Sequence, residues 1–392
     1  MTSDLRQIYS SLYQYCEGEV FAGWDPFDGL NSRVFLSTPL QRIAAVRFAW
    51  QQVIKRSPAN LRPLLLVKKG SNAKALALFA LAELSMFRYT GDEQHHKNAA
   101  KLLDMLRGLA ITGVTSNGEP TKAFGYNFDW QSRVFYAPKG TPTIVPTAFA
   151  ALAFVESYKL FCEENDLEFA KEICGFILNE LETPYRTEDE ICFSYKPNDT
   201  SLIYNASLLA GETLAAVGAI ISSREMRDAA AKAMRFVLRR QGEDGSWLYG
   251  PGSKHQWIDN FHTAFVLSSL NRINENLGNE EAAAAIRKGL GYWIDNFFLD
   301  DGTPKYFDRE TYPIDIHSAG AAIATLSELK DLDELALPLA EKLAGWTIAN
   351  LRDPAGFFYY QKRRSMTVKT PFMRWGQAWM AYGLSKLIEA KN

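Results

Sequence analysis

The sequence predicts an all-α fold in which six helical hairpins close into a ring, with small β-hairpins in the loops. Three observations predict it: a unit of two helices recurs, its two helices distribute their apolar residues differently, and the last helix lacks a partner of its own. The chain has 392 residues, of which 47% are hydrophobic and 22% charged, so it can bury a large core. We expect residues 1–392 to form one domain.

The recurring unit consists of an aromatic loop, a polar residue, a charge-poor helix and a charge-rich helix. Its clearest copies are residues 143–181, 201–240, 260–298 and 316–350. One marked position per copy gives separations of 58, 57, 55 and 58 residues, the marks being Thr147, Asn205, His262, His317 and Trp375. Open solenoids of helical hairpins usually repeat every 34 to 47 residues or so, and the longer period favours a closed ring.

The two helices of a unit differ in a way that predicts their positions. Residues 146–160 and 201–221 are apolar nearly all round and rich in Ala, Gly and Ser, which is typical of a helix packed on every side. Residues 164–181 carry an apolar stripe opposite a charged face. Helices of the first kind are therefore expected inside the ring, and helices of the second kind outside it.

The two ends of the chain are expected to meet. A less regular first copy begins with Asn72, and the last inner helix, residues 372–388, has no outer helix after it. Two N-terminal helices, residues 4–15 and 40–56, are available to cover it. We expect them to close the ring against the C-terminal helix.

Charge and cysteine usage exclude several classes of protein. The formal net charge is −2 and the pI is near 6.3, so no global field favours nucleic acid or an anionic membrane. Apolar runs are interrupted by charges before the roughly 20 residues of a membrane span, and the first ten residues are polar. Four cysteines without a CxxC pair suggest reduced thiols. We expect a cytoplasmic protein without membrane insertion; the sequence leaves its oligomeric state open.

The repeat, over residues 70–390, resembles the (α/α)6 toroid superfamilies. These include six-hairpin glycosidases, N-acylglucosamine 2-epimerase-like enzymes, toroidal polysaccharide lyases, and the toroids of terpenoid cyclases and protein prenyltransferases. The resemblance implies an (α/α)6 toroid of six inner and six outer helices. It also implies an enzyme or binding protein whose ligand enters the ring at one mouth.

One motif is specific to the cyclase branch. Gln241 to Trp247 reads QGEDGSW and matches the QxxxGxW box of terpenoid cyclases, in which the box is structural. Cyclases also need a DxDD or DDxxD motif, and neither occurs here. The zinc set of prenyltransferases is missing too, since no cysteine lies in the histidine-bearing loops. We therefore expect no metal, and the cyclase alternative is disfavoured.

A second resemblance lies near the N-terminus. The segment GWDPFDGLNSR, Gly23 to Arg33, is similar to the opening of uncharacterised toroid proteins associated with bacterial polysaccharide-biosynthesis clusters. That resemblance implies a setting, polysaccharide assembly, without a reaction and without catalytic residues to carry over.

In such a ring the inner helices run parallel, so their N-termini gather at one rim. Unpaired N–H groups and helix dipoles there favour negative charge by about 0.3–1 kcal/mol per helix end, which suits a carboxylated or phosphorylated sugar. The polar residues at these helix starts are the first candidates for contact: Asn205, Asn260, His262, Asp315 and His317.

Two histidines occupy equivalent positions on adjacent inner helices. His262 and His317 could act as acid and base on a sugar ring, because imidazole exchanges protons near neutral pH. The resemblance to 2-epimerases implies epimerisation. The alternative is that both are hydrogen-bonded core residues. His255, in a Gly-rich loop, is a candidate contact residue or simply exposed.

Carboxylates in the loops before the inner helices permit a glycosidase interpretation, which needs two of them about 5 to 9.5 Å apart. The candidates are Asp25, Asp28, Asp129, Asp259 and Asp315. For Asp259, Asn260 and Asp315 the competing interpretation is helix capping. For Asp25 and Asp28 it is turn formation.

Aromatic residues are the strongest compositional indication of a sugar pocket, with 9 Trp, 17 Tyr and 24 Phe. Their flat faces stack on sugar rings, although each could equally fill the ring's core. The loop aromatics are Trp24, Tyr126, Trp130, Tyr136, Tyr195, Trp247, Tyr249, Trp257, Tyr306, Tyr359, Tyr360 and Trp375.

Arginines that could pair with a uronate or phosphate are Arg33, Arg133, Arg363 and Arg374.

These observations lead to three functional hypotheses. The first is a carbohydrate-active enzyme acting on an acidic or amino-sugar unit of a bacterial polysaccharide by epimerisation, elimination or hydrolysis. The second is a non-catalytic protein that binds glycans or assists polysaccharide assembly. The third is a terpenoid cyclase-like enzyme. Nucleotide-binding, zincin and α/β-hydrolase motifs are absent from the sequence, so we expect no cofactor.

Overall fold

A computed structural model describes residues 2–132, 136–253 and 255–391. Its α-helices are α1 (Thr2–Gly18), α2 (Arg33–Leu36), α3 (Ala44–Arg56), α4 (Ala73–Thr90), α5 (Glu93–Arg107), α6 (Ile144–Phe161), α7 (Glu164–Glu180), α8 (Tyr204–Ile220), α9 (Arg224–Leu238), α10 (Asn260–Leu277), α11 (Glu280–Phe297), α12 (Ile316–Glu328), α13 (Ala336–Leu351) and α14 (Ala378–Ala390). Short 3-10 turns span Asp28–Asn31 and Pro39–Arg42, and a π-helical turn, Met373–Gln377, leads into α14.

The even-numbered helices from α4 to α14 form the inner ring. Each packs against the next, and α14 packs against α4, so the ring is closed. Helices α5, α7, α9, α11 and α13 pack outside the inner helix that precedes each of them, and α1 packs on α14. The predicted all-α class and (α/α)6 toroid are confirmed.

Of the two N-terminal helices offered for closing the ring, only α1 packs on α14. Its buried residues Leu5, Tyr9, Leu12 and Cys16 are spaced three or four apart, so they form one stripe. Helix α3 buries only Gln51 and Ile54 and packs instead on the 3-10 turn Asp28–Asn31 and on a loop strand. It therefore lies outside the ring, against the N-terminal segment and the loop that follows α5.

Burial separates the helices as their compositions predict. Every residue from 73 to 86 of α4 is buried, whereas α5 buries only Ala99, Leu102, Leu103 and Leu106. Helix α6 is long and apolar enough to cross a membrane by length and composition, but it packs between α4 and α8 in the ring. An all-round apolar helix here is thus the consequence of neighbours on every side.

Short strands form only in the loops. They are β1 (Ala22–Gly23), β2 (Gly70–Ser71), β3 (Ile111–Val114), β4 (Pro120–Ala123), β5 (Trp130–Gln131), β6 (Tyr136–Ala137), β7 (Tyr185–Arg186), β8 (Ile191–Cys192), β9 (Ile314–Asp315), β10 (Gln361–Lys362) and β11 (Thr367–Val368). Pairs β3–β4, β5–β6 and β7–β8 are antiparallel hairpins, β1 pairs with β2, and β10 lies between β9 and β11. The predicted β-hairpins in loops are confirmed.

The QGEDGSW segment is structural. Gln241 donates from Nε2 to the carbonyls of Gly245 and Ala285, both at 2.9 Å, and so ties the loop to α11. The Trp247 indole donates to the carbonyl of Val237 and packs over Gly289, where a Cβ would lie 2.4 Å from the indole. Trp247, predicted as a possible sugar contact, therefore serves packing between α9 and α11.

Helices α12 and α14 make one of the closest approaches in the ring, at two glycines. A Cβ on Gly383 would lie 2.6 Å from the carbonyl oxygen of Gly320. Gly383→Ala should therefore lower the free energy of unfolding by about 1–3 kcal/mol, because the two backbones must separate. Gly345→Ala on α13 is the control: nothing lies within 4 Å of its Cβ, and we expect a gain of about 0.5–1 kcal/mol. Denaturant unfolding of both variants measures the difference.

Candidate functional site

The first turns of the inner helices meet around a cavity of about 150 Å³. Each inner helix contributes to its wall: Lys74 from α4, Val145 from α6, Asn205 from α8, Phe261, His262 and Phe265 from α10, His317 from α12, and Arg374 and Trp375 from the turn before α14. Loop residues complete it: Phe27, Tyr126, Phe128, Trp130, Tyr195 and Tyr249. An apolar cavity of about 150 Å³ accommodates one benzene ring, so this one is sized for a single six-membered ring.

His262 is held by an aspartate. Its Nδ1 lies 2.6 Å from Oδ2 of Asp259, whose Oδ1 accepts the His262 backbone N–H at 3.0 Å as the N-cap of α10. Trp257 donates from Nε1 to the same Oδ2 at 2.9 Å. Asp259 and Trp257 are thus committed to positioning and do not line the cavity, whereas His262 does, with its side chain 22% exposed. Because Nδ1 is engaged in the hydrogen bond with Asp259, Nε2 is the ring nitrogen left for a ligand.

His317 lies in the same wall without a hydrogen-bond partner. Its residue is 1% exposed, and neither ring nitrogen bonds to another described residue. Its ring centroid is 4.1 Å from that of Trp375 and 4.8 Å from that of Phe261, which also packs 4.1 Å from His262. Burial lowers the pKa of His317 well below its ordinary value, and the charges of Lys74 and Arg374 add to the effect. His317 is therefore a neutral imidazole that faces the cavity.

Asp315, predicted beside His317 as a catalytic candidate, lies behind the wall. Its Oδ1 accepts from the backbone N–H of His317 and from Nε1 of Trp375, at 2.9 and 2.8 Å. Its Oδ2 accepts from Nε2 of Gln361 at 2.6 Å. Burial raises the pKa of Asp315, although these donors oppose the rise. With both oxygens occupied, Asp315 caps α12 and orients Trp375, which matches the competing capping interpretation.

Two buried ion pairs involve the N-terminal segment, and one of them ties this segment to the start of α14. Arg374 donates from Nε and Nη2 to the two carboxylate oxygens of Asp25, at 2.6 and 2.8 Å. Arg62 donates from Nε to Asp28 at 2.6 Å and from Nη2 to the carbonyl of Asp25 at 2.7 Å. Burial raises the pKa of Asp28 to about 6, although Arg62 opposes the rise. Both aspartates are therefore committed to arginines, while Arg374 itself lines the cavity.

Polar groups and aromatic faces alternate around the remaining wall. The Oδ1 atom of Asn205 is buried without a hydrogen-bond partner among the described residues. The hydroxyls of Tyr126 and Tyr195 lie 3.0 Å apart, and Trp130 packs against both rings. Together with His262, His317, Arg374 and Trp375, the predicted candidates Tyr126, Trp130 and Asn205 thus meet at one cavity.

The structure places the other predicted contacts away from this wall. Trp24 donates to the carbonyl of Val67, and Asn260 bonds to Trp293 and to the carbonyl of Lys305. The remaining residues lie in the surrounding loops or at the surface: Arg33, Asp129, His255, Tyr306, Tyr359 and Arg363. Among them, Asp129 accepts the backbone N–H of Lys139, and Tyr359 donates to Asp353. Arg133 lies outside the described residues.

Lys74 is the principal cavity residue missing from the sequence-based set. Its Nζ lies 4.4, 4.7 and 4.9 Å from the ring centroids of Phe149, Phe265 and Trp379, and it bonds to no other described residue. Burial lowers the pKa of Lys74 well below its ordinary value, and Arg374 lowers it further. The available signal was a lysine in the second position of an otherwise apolar inner helix, aligned with Asn205 and His317.

Helix α3 lies beside the cavity through Lys55. Its Nζ is 4.1 Å from the centroid of Phe27 and 5.9 Å from that of Trp375, two residues of the cavity wall. Burial lowers the pKa of Lys55 from its ordinary 10.5 to about 8, although Asp315 and Asp25 oppose the fall.

Lys55 should make stability depend on pH. Between pH 8 and 10.5 the unfolded chain holds a proton on Lys55 that the folded protein has lost, so this residue makes stability rise with pH in that window. Lys55→Met should remove that contribution. Chemical denaturation of both proteins across the window measures the difference in slope; equal slopes would contradict the shifted pKa.

A second, charged cavity of about 450 Å³ opens where the inner helices end. Arg272 of α10 lies at its centre, between Glu212 of α8 and Glu328 of α12, and its Nη2 is also 3.1 Å from the hydroxyl of Tyr382 of α14. The six inner helices all contribute charged side chains to this cavity, and both signs are present. Several glutamates line this second cavity, but among the described residues no three His, Cys, Asp or Glu side chains are grouped so that they could hold a metal ion.

No protein-family model matches the sequence, and the comparison with curated proteins found no match. Several solved structures are similar to the fold. A cellobiose 2-epimerase from Bacillus thermoamylovorans is similar with a TM-score of 0.62 at 12% identity, over 82% of this chain and 88% of that one. A GH76 α-mannanase from Bacteroides thetaiotaomicron gives 0.62 at 12%, over 81% and 86%. A family 88 glycosyl hydrolase from Bacteroides vulgatus gives 0.61 at 10%, over 100% and 99%. These similarities establish the fold.

Proposed function

We propose that the protein is a carbohydrate-active enzyme that moves a proton at the carbon beside the carbonyl of an acidic sugar, as epimerases and isomerases do. One observation carries the proposal: an aspartate-held histidine and an unpartnered neutral histidine line one aromatic cavity of single-ring size. The names of the similar structures, a 2-epimerase, an α-mannanase and a glycosyl hydrolase, support a carbohydrate ligand.

His262 is suited to be the base. With Asp259 accepting a hydrogen bond from Nδ1–H, Nε2 carries the lone pair, and the carboxylate would stabilise the imidazolium that forms when Nε2 takes a proton. In the open-chain sugar, that proton comes from the carbon next to the carbonyl, and its electron pair moves into an enediolate. Return of the proton to the neighbouring carbon, together with transfer of the hydroxyl proton from O2 to O1, completes an isomerisation. Return of the proton to the same carbon, after the enediolate has turned its opposite face to His262, completes an epimerisation.

His317 is suited to polarise the carbonyl. The lowered pKa of His317 keeps its imidazole neutral. A neutral imidazole still carries one N–H, which can donate to the carbonyl oxygen. Arg374 lies in the same wall, and its positive charge would stabilise the enediolate. Base, hydrogen-bond donor and counter-charge therefore converge on one ring-sized volume.

The charge of the wall favours an acidic sugar. Arg374 contributes a cationic group, Lys74 would regain its positive charge beside an anion, and no Asp or Glu among the described residues lines the cavity. A uronate or sugar phosphate would pair with these cations, whereas a protonated amino sugar would be repelled. The absence of a lining carboxylate pair also gives hydrolysis and terpenoid cyclisation no acid in the described wall.

Exchange of carbon-bound hydrogen with solvent tests the proposal. The protein is incubated in D₂O with glucuronate, glucose 6-phosphate and glucose, and proton NMR follows the hydrogens on carbons 1 and 2. We expect deuterium incorporation with at least one acidic sugar, and a loss of about 10²–10⁴-fold in His262→Gln. His96→Gln, on the outer helix α5, is the matched control and should retain the rate.

Three outcomes would contradict the proposal. Tight binding of an acidic sugar without exchange would favour the alternative of a non-catalytic glycan-binding protein. Exchange that survives in His262→Gln would show that His262 is not the base. Turnover of a glycosidic bond without exchange at carbon 2 would favour hydrolysis instead.

Binding of an anionic sugar should be linked to proton uptake by Lys74. Its amine loses its proton readily in the empty cavity, and an anion placed beside it would restore the charged form. Calorimetry of glucuronate or glucose 6-phosphate binding, repeated in buffers of different ionisation enthalpy, measures the protons taken up. We expect uptake with the unaltered protein and a smaller uptake with Lys74→Met; equal uptake in both would contradict the assignment.

A further inference from the structure

The charge of the chain is unevenly distributed. Between Asp28 and Glu83 there are nine Lys or Arg residues and no Asp or Glu, although the whole chain has a net charge of −2. The rest of the molecule is therefore net acidic. The exposed members of this basic set lie at the surface of the segment before α4: Arg33, Arg42, Arg56 and Lys68, together with Lys69, whose amine pairs with Glu19.

Exposed apolar side chains concentrate in the same segment. Among the described residues, 14 large apolar side chains are exposed, and seven of them lie between residues 34 and 66. They are Val34, Leu36, Leu40, Ile43, Val53, Leu64 and Leu66, with exposures of 40 to 78%. Such a concentration on a folded surface indicates an interaction site rather than scattered exposure.

The structure joins these residues into one surface, which we call the basic apolar patch, residues 33–69. The 3-10 turn Pro39–Arg42 packs against both α2 and α3. The hydroxyl of Ser32, the N-cap of α2, donates to the carbonyl of Leu65 at 2.8 Å, so the loop at residues 63–66 lies beside α2. Leu64 at its tip is 78% exposed, and Leu66 holds a left-handed backbone with φ of 53° while 55% exposed.

We propose that the basic apolar patch docks on the surface of an anionic lipid bilayer. Lysines and arginines attract acidic headgroups, and projecting leucines gain free energy by entering the acyl boundary. A nucleic acid would use the charge but would not reward exposed leucines at a loop tip. An acidic protein would need apolar pockets matched to each projecting side chain, whereas the acyl boundary admits these side chains wherever they lie. The acidic remainder of the protein would be repelled by the same surface, so only this side can face it.

Docking would bring the cavity to the bilayer. Helix α3 exposes Val53 and Arg56 on the patch, while its Lys55 packs over Phe27 and Trp375 of the cavity wall. The inference stands on the patch alone and does not depend on the proposed function.

Vesicle co-sedimentation tests the proposal with the full chain. Vesicles of equal parts phosphatidylcholine and phosphatidylglycerol should bind the protein, and phosphatidylcholine alone should bind it weakly. The pair Leu64→Ser and Leu66→Asn should weaken binding about tenfold or more, and Asn tolerates the left-handed backbone. Arg42→Gln, Arg56→Gln and Lys68→Gln should each cost about fivefold and reduce the salt dependence.

The controls change the same residue types elsewhere on the surface. Leu299→Ser with Leu335→Ser, and Arg287→Gln with Arg309→Gln, alter exposed residues outside the patch and should leave binding unchanged. Failure to bind the acidic vesicles would overturn the proposal, as would equal losses in the controls. Binding of duplex DNA or polyglutamate as tightly as vesicles, unaffected by the leucine variants, would also overturn it. The exchange assay in D₂O contains no lipid, so a failure of that assay would not bear on membrane docking, and a failure of vesicle binding would not bear on the proposed function.

Discussion

Replacing Arg272 by Met should lower the free energy of unfolding by about 3–5 kcal/mol, because it leaves buried carboxylates without their cation. Arg272 donates to Glu212 at 2.7 Å and to Glu328 at 2.6 Å, and so links α8, α10 and α12. Both glutamate side chains are nearly buried, at 6% and 12% exposure. Urea unfolding at neutral pH measures the loss.

The pH dependence of this loss identifies its cause. Burial alone would raise the pKa of Glu328, but Arg272 holds this pKa below its ordinary value. The stabilisation is therefore present above the ordinary pKa of a glutamate and is lost as the pH falls through the lowered value in the folded protein. The difference between Arg272→Met and the unaltered protein should shrink on acidification.

Two further variants control the Arg272 experiment. Arg272→Met combined with Glu212→Gln and Glu328→Gln should recover much of the stability, because no buried charge is left unpaired. Arg309→Met removes an exposed arginine and should change stability by less than about 0.5 kcal/mol. A loss that is independent of pH, or that persists undiminished in the triple variant, would indicate a packing defect instead.

The repeat period predicted the ring because it reflects local properties that each copy encodes for itself. Helices packed on all sides need small and apolar residues all round, and outer helices need one apolar stripe, so composition alone separates the two layers. The same logic located the rim. Asn205 and His317 are second in their helices, and His262 is third, and all three line the cavity.

The marked position of the repeat did not identify a cavity residue in α6, because this helix begins earlier relative to the mark than α8, α10 and α12 do. Thr147 is the fourth residue of α6, and its hydroxyl bonds to Thr143 and Phe124 rather than facing the cavity. Val145, the second residue of α6, occupies the wall. The period fixes positions only to within about one helical turn, whereas a side chain changes direction at every residue.

Long-range pairing explains why the roles of several candidates could not be predicted. Asp25 forms the predicted turn, since its Oδ1 accepts the backbone N–H of Phe27 at 3.0 Å. It also pairs with Arg374, 349 residues away, and no local pattern records that contact. Ring closure brings the two segments together, and it therefore decides whether such an aspartate acts only in a turn, pairs with an arginine or contacts a ligand.

Replacing Asp259 by Asn should reduce the proton-exchange rate by about 10²–10⁴-fold, the range typical of acid–base catalysis, while leaving α10 capped. Asparagine retains an oxygen that can accept the His262 backbone N–H, so the helix keeps its first hydrogen bond. Its amide nitrogen cannot accept the proton on Nδ1 of His262. The imidazole would then carry its proton on Nε2, the atom assigned as the base, and could not remove one from the sugar.

Stability and binding distinguish this loss of catalysis from a loss of structure. Asp259→Asn should bind an acidic sugar with nearly unchanged affinity, since the cavity wall itself is intact, and should lose only about 1–3 kcal/mol of stability, because the indole N–H of Trp257 loses its carboxylate acceptor. Asp315→Asn is the matched control, because Asp315 caps the adjacent inner helix in the same way but bonds to Trp375 and Gln361 rather than to an imidazole ring. If both variants lose exchange equally, the aspartates act through the rigidity of the rim, and the assignment of His262 as the base would have to be withdrawn.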